Sequence, residues 1–284
     1  MNTLLVATDG SLYANSIYDH AAWVANRTGA SIHLLHMLDP HHERAGRSDF
    51  SGNLTTDDSD ELLKEFVCVE AERSKLSRER GKRILNVAKE HLAAITEVPV
   101  SAEQQHGELV EAISRMEEKA DLLVIGKRGE SADLAKMHLG SSLERVLRAS
   151  TRPVLVASRQ FQPINRVLIA YDGGTSIEKA VAHIISEPLL LGTQLHLVRT
   201  GKIDANAEWF AKEAGAKLRE AGFEVDIHLE PGHPEEVIHG LVQSLSIGLL
   251  VMGAYGHSRI RNLMLGSTTT ALVRTCLIPV LMFR

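Results

Sequence analysis

Three glycines and a hydroxyl side chain, Gly253, Gly256, Gly266 and Ser267 within GAYGHSRIRNLMLGS, are the residues of this chain best suited to holding an anion. Glycine has no Cβ, so main-chain N–H groups there approach an anion closely, and a helix opening at Gly266 and Ser267 turns its N-terminus toward negative charge. The stretch follows the apolar run Leu249, Leu250, Val251, Met252 and precedes the apolar-periodic TTTALVRTCL, so it reads as strand, glycine loop and helix. His257, Arg259 and Arg261 add positive charge to the loop, although exposed loops often carry such residues for other reasons. A second version runs from Gly126 to Ser142 with Gly126, Gly129, Gly140, Ser141 and Ser142 in place. There Lys127 and Arg128 are cations that either take a phosphate or pair with acidic groups of the insert that follows strand two.

Other chemistry finds less support. No nucleophile elbow, P-loop or dinucleotide fingerprint stands at a strand end. His33, His36, His41 and His42 cluster near Asp39 and Glu43, yet their spacing fits no closed zinc site, and strand alternation sends His33 and His36 to opposite faces. His228, His233 and His239 surround Pro231, Gly232 and Pro234, where Glu235 and Glu236 suit the first turn of a helix. Cys68 and Cys276 lie far apart and read as ordinary thiols. Trp23 and Trp209 fall in helical stretches, too isolated to form a stacking platform, and are expected in core or interface packing.

The elements that must position these residues are written twice. TLLVATDGS around Asp9 matches RVLIAYDGGTS around Asp172, and the strands SIHLLHML and TQLHLVRT follow after helical stretches. VPVSAEQQHG and FEVDIHLEPG lead into helices near Gly107 and Gly232, DLLVIG and GLLVMG precede the glycine loops, and RPVLVASR matches IPVLMFR. Near-continuous apolar strands alternating with helices predict, in each copy, a five-stranded doubly wound parallel sheet of the α/β class with order 3-2-1-4-5. That order sets the ends of strands one and four side by side at the switch point, where ligands bind, so each acidic turn should face its own glycine loop. The expected domains are residues 1–158 and 163–284, joined by a short linker. Asp9 to Gly126 spans 117 positions against 81 from Asp172 to Gly253, and the excess falls after strand two. This insert, residues 39–92, opens as a polar loop and becomes a long charged helix from about Glu61 to Leu92.

Two acidic turns after strand one, a G-x2-G-x9-G-(S/T) loop after strand four and PVLV-type closing strands together resemble the universal stress protein family in its tandem, Rossmann-like form. The resemblance covers nearly the whole chain apart from the insert. It implies binding of ATP or another adenine nucleotide, AMP or ADP, with Mg2+ arriving on the phosphates. Carried over residue by residue, it sets Asp172 by the ribose, Val198 by the adenine, and Gly253, Gly256, Gly266, Ser267 and Thr268 by the phosphates. In the first copy, Asp9, Gly126, Gly129, Gly140, Ser141 and Ser142 occupy the same positions, but ten residues rather than nine separate Gly129 from Gly140. The resemblance also implies pairing of the two last strands within one molecule, with a homodimer as a further assembly. An aspartate before glycine is equally ordinary turn chemistry, so each motif also has a purely structural reading.

With 284 residues, 44% of them hydrophobic, and a formal charge of -5, the chain has material for two cores and lacks the basic balance of a general nucleic-acid binder. The first apolar run ends at Asp9, too short for a signal peptide, and no stretch reaches membrane-spanning length, so a cytoplasmic location is expected. The expected function is stress-response regulation through nucleotide occupancy. A slow ATP-hydrolysing or nucleotidyl-transfer enzyme of the same fold, and an interaction module without nucleotide, stand as alternatives.

Overall fold

The structure, a computed structural model, describes residues 1–38, 56–127, 141–254 and 266–284. Strands β1 (Thr3–Ala7), β2 (Ser31–Leu38), β3 (Val100–His106), β4 (Leu122–Gly126) and β5 (Val154–Ala157) form the first copy. The second contains β6 (Arg166–Ala170), β7 (Gln194–Thr200), β8 (Glu224–Glu230), β9 (Leu249–Gly253) and β10 (Val280–Phe283). Each copy has the expected order 3-2-1-4-5, and the two join into one sheet, β3-β2-β1-β4-β5-β10-β9-β6-β7-β8. Every neighbouring pair is parallel except at the centre, where β10 meets β5 antiparallel with Val280 opposite Val156 and Met282 opposite Val154.

Alternation along the central strands divides the core between the two faces of the sheet. Leu4, Val6, Leu155, Val167, Ile169, Val251, Leu281 and Phe283 point to one face. There they meet α1 (Ala14–Thr28), α2 (Thr56–Ile95), α5 (Thr175–Ser186) and α6 (Ala205–Glu220). Leu5, Ala7, Val154, Val156, Leu168, Leu250, Val280 and Met282 point to the other. They pack under α3 (Leu109–Met116), α4 (Ser141–Ala149), α7 (Pro234–Ser244) and α8 (Ser267–Thr275). Each cluster draws on both copies, so the antiparallel seam is a core and not a loose linker contact. The edge strands β3 and β8 are correspondingly polar, as unpaired sheet edges usually are.

Local sequence sets the element ends. Gly29 takes φ 74° and closes α1 through its N–H to the Ala25 carbonyl at 2.7 Å. Asp204 caps α6 by accepting the Ala207 N–H at 2.9 Å, and Pro234 opens α7 with Glu235 and Glu236 in the first turn. The insert helix α2 has 40 residues, roughly 60 Å at 1.5 Å per residue. Leu85, Ala88 and Leu92 bury against the sheet, whereas none of residues 67–80 is buried. Among the described residues no helix is long and apolar enough to cross a membrane.

Candidate functional site

At the end of β6 the chain turns sharply through Tyr171, Asp172 and Gly173, the last at φ 76°. The Asp172 carboxylate accepts the Gly174 N–H at 2.9 Å, and Arg199 from the end of β7 donates to the Asp172 carbonyl. The Arg199 Nε is buried with no hydrogen-bond partner among the described residues. Tyr171 is buried and donates to Glu178 in the first turns of α5; burial, and then the Glu178 carboxylate, push its phenol far above the usual range. That hydroxyl therefore stays protonated and fixes α5 against the turn.

Beside this turn lies the end of β9, since Ala170 pairs with Met252 in the sheet. A methyl group added to Gly253 would stand 3.0 Å from the Ser176 Cβ and 3.4 Å from the Ile177 N, so this glycine is required by the close approach of α5. Gly266 is different. Its φ of -58° and ψ of 144° suit any residue, and among the described residues an added methyl would meet Thr269, at 3.4 Å from Oγ1 and 3.9 Å from Cβ, and the Ala254 carbonyl at 4.0 Å. Neither backbone conformation nor packing against the described residues demands glycine at 266. Gly266 precedes α8, whose first residues Ser267 and Thr268 are exposed and half-buried, and whose opening N–H groups have no partner within the helix. Thr269 is buried, and its hydroxyl lies 3.4 Å from the Ala254 carbonyl, tying the start of α8 to the end of β9. The start of α8 is thus held beside the end of β9, next to the Asp172 turn.

The expected adenine neighbour, Val198, is buried and its carbonyl accepts the Tyr171 N–H at 2.9 Å. In a parallel ladder the N–H and C=O of one residue point to the same neighbour, so the main chain of Val198 is spent on β6. Two residues later the direction recurs at Thr200, where β6 has already ended. The main-chain groups facing the switch point are those of Thr200, a residue that strand direction, not composition, singles out.

The first copy repeats the turn. Asp9 accepts the Ser11 N–H at 2.9 Å, Gly10 takes φ 71°, and His36 lies 2.9 Å from the Thr8 carbonyl, in the place Arg199 holds in the second copy. Here, however, Ile84 of α2 leans on the turn: a methyl on Gly10 would come within 2.7 Å of its side chain. Lys127, counted from sequence among the loop cations, donates instead to the Cys276 carbonyl at the end of α8 in the other copy. Gly126 ends β4, and Ser142 is exposed in the first turn of α4, which Ser141 opens. Gly129, Gly140, Gly256, Arg128, His257, Arg259 and Arg261 lie outside the described residues, as do His41 and His42.

The remaining candidates fall into packing, with one exception. His33 bonds Ser101 at 2.7 Å on the opposite face from His36. His228 sits 3.1 Å from His196, and burial lowers the His196 pKa. Cys276 is buried and Cys68 exposed. Trp23 packs partly buried under Arg27, but Trp209 is 58% exposed and stands against Phe210 with ring centres 4.9 Å apart. Of the two expectations for Trp209, core or interface packing, the core fails because α6 turns only Ala207, Ala211, Ala214, Gly215 and Leu218 inward.

Comparison with known proteins gives consistent results. A model of the universal stress protein family matches residues 1–158 and again 163–284. A universal stress protein of the cyanobacterium Synechocystis sp. is 38% identical over 287 residues, covering 100% of both chains. A universal stress protein of Archaeoglobus fulgidus has the same fold at a TM-score of 0.72 and 20% identity, covering 100% of this chain and 98% of that one. A functionally unknown protein of Pseudomonas aeruginosa aligns at a TM-score of 0.63 and 20% identity, over 100% and 92% of the two chains.

Proposed function

This chain belongs to the universal stress protein family, and from that premise we propose that its second copy holds an adenine nucleotide, ATP, ADP or AMP, at the switch point between β6 and β9. The protein then acts as a regulatory binder whose surface changes with occupancy. The observation that carries this reading is Gly266, a glycine at a helix start that neither its conformation nor the described residues around it require. Removal of a side chain there leaves room for something outside the protein, and the helix start favours an anion. Asp172 would meet the ribose, the main chain of Thr200 the adenine edge with Val198 beneath it, and Gly253, Gly256, Gly266, Ser267 and Thr268 the phosphates. Mg2+ would ride on the phosphate oxygens.

In the first copy Lys127 is committed to Cys276 and Ile84 leans on the Asp9 turn, so the principal site is assigned to the second copy. Equilibrium dialysis of the full chain with ATP and AMP tests the reading: saturable binding near one nucleotide per chain supports it, and no binding at millimolar ligand rejects it. Sustained rapid hydrolysis of Mg-ATP would replace the regulatory reading by the enzymatic one.

A further inference from the structure

Trp209 and Phe210 form an edge-to-face aromatic pair, 58% and 48% exposed, in the second turn of α6. Two large rings left in solvent on one short segment call for a use. Internal duplication indicates where they stand. Leu85, Ala88 and Leu92 of α2 bury at the same spacing as Ala211, Ala214 and Leu218 of α6, so Ile84 and Phe210 are equivalent positions. Ile84 is the side chain that leans on the Gly10 turn of the first copy. A second observation agrees. Glu213 lies three residues beyond Phe210, on the same side of the helix, and its charge acts on Tyr171 beside the Asp172 turn. The side of α6 that bears Phe210 therefore faces the second switch point. The chain reaches it from Thr200 through Gly201, at φ 82°, and the Asp204 cap, which fixes the start of the helix.

We propose that Phe210, backed edge-on by Trp209, is the base-stacking wall of the second-copy site. This rests on the adenine-nucleotide reading above and adds the residue that reads the face of the base. The main chain of Thr200 offers hydrogen bonds to the base edge, and a ring beside it supplies the sequence-tolerant π-face that a polar turn cannot. The first copy, with Arg83 and Ile84 at the equivalent positions, has no such wall.

The experiment uses the full chain carrying Trp23→Phe, so that Trp209 is its one tryptophan, and titrates AMP while recording both calorimetric heat and emission. The expected result is saturable quenching of Trp209 with the calorimetric Kd, about tenfold weaker AMP binding in Phe210→Ala, and affinity within about twofold of the parent in Phe210→Tyr. AMP binding with unmoved Trp209 emission and unchanged affinity in Phe210→Ala overturns the wall while leaving the site. Absence of calorimetric binding in the unmutated chain overturns the site itself, and the two failures are thus distinguishable. Phe210 is half-exposed, so an unchanged urea midpoint should accompany Phe210→Ala.

Discussion

Gly253→Ala is the sharpest test of how the switch point is built. The new methyl would lie 3.0 Å from the Ser176 Cβ and 3.4 Å from the Ile177 N, whereas carbon atoms in ordinary contact sit near 3.5–4.0 Å. Ser176 is buried, and the obstructing atom is its Cβ, which no rotamer change can move. Relief must come from shifting α5 away from β9 by some tenths of an ångström. Overpacking of this kind costs about 1–3 kcal/mol, here toward the lower end because one methyl is involved. Thermal unfolding should therefore fall by roughly 2–6 °C for a chain of this size. Gly240→Ala provides the matched control, since Gly240 is exposed within α7 and an added methyl meets nothing within 4 Å. It should stabilise by about 0.4–1 kcal/mol through the unfolded state. The assay is urea unfolding of the three proteins followed by far-UV circular dichroism. If Gly253→Ala proves as stable as the parent, α5 does not press on β9 as described, and the packing reason for this glycine is refuted.

Three further perturbations follow from the seam and the caps. Lys127→Met removes a charged donor from the Cys276 carbonyl and should cost about 1.5–3 kcal/mol in urea unfolding; an unchanged midpoint would show the bond contributes nothing. His20 and His183 occupy equivalent places in the seam, against Phe161 and Phe283, and burial is the main cause lowering each below the ordinary 6.5 despite nearby Asp19 and Glu187. The unfolded chain then takes up protons before the folded one, so stability is complete above about pH 6.5 and declines as pH falls below it, by at most about 1.4 kcal/mol per pH unit for each histidine. Urea midpoints from pH 8 to pH 5 should show this decline, and His183→Leu should flatten it; a slope unaltered in that variant would clear His183. Asp204→Ala removes the α6 cap and should lower stability by about 1 kcal/mol, with thermal unfolding as the readout.

Most of the architecture was legible because duplication allowed each weak local signal to be read twice. The runs DLLVIG and GLLVMG became β4 and β9, and the two PVL segments became the antiparallel seam. Site details were legible only where residue type alone decides geometry. Asp9 and Asp172 turn as aspartate before glycine should, since both carboxylates accept an N–H two residues on. Val198 is the residue the resemblance sets by the adenine, and that its main chain pairs with β6 depends on where β6 ends, a tertiary fact that no run of apolar residues encodes. Lys127 read as a cation for either a phosphate or an acidic group, and its partner, the Cys276 carbonyl 149 positions away, was neither. For Trp209 core and interface could not be told apart, because helical periodicity in ANAEWFAKEAGAKLRE is carried by alanines, which leave the direction of the buried face weakly marked. Gly253 and Gly266 looked alike in sequence, and only the distances around each show that α5 presses on the first and no described residue presses as closely on the second.

The central claim is that Gly266 is kept bare for a nucleotide in the second copy, and valine substitution tests it without disturbing the fold. The parent, Gly266→Val and Gly140→Val are compared by equilibrium dialysis against labelled ATP, with urea midpoints measured in parallel. The account predicts that Gly266→Val removes binding, that its midpoint falls by no more than the roughly 1 kcal/mol by which valine is the poorer N-cap, and that Gly140→Val retains most of the binding. Undiminished ATP stoichiometry in a folded Gly266→Val protein would contradict it.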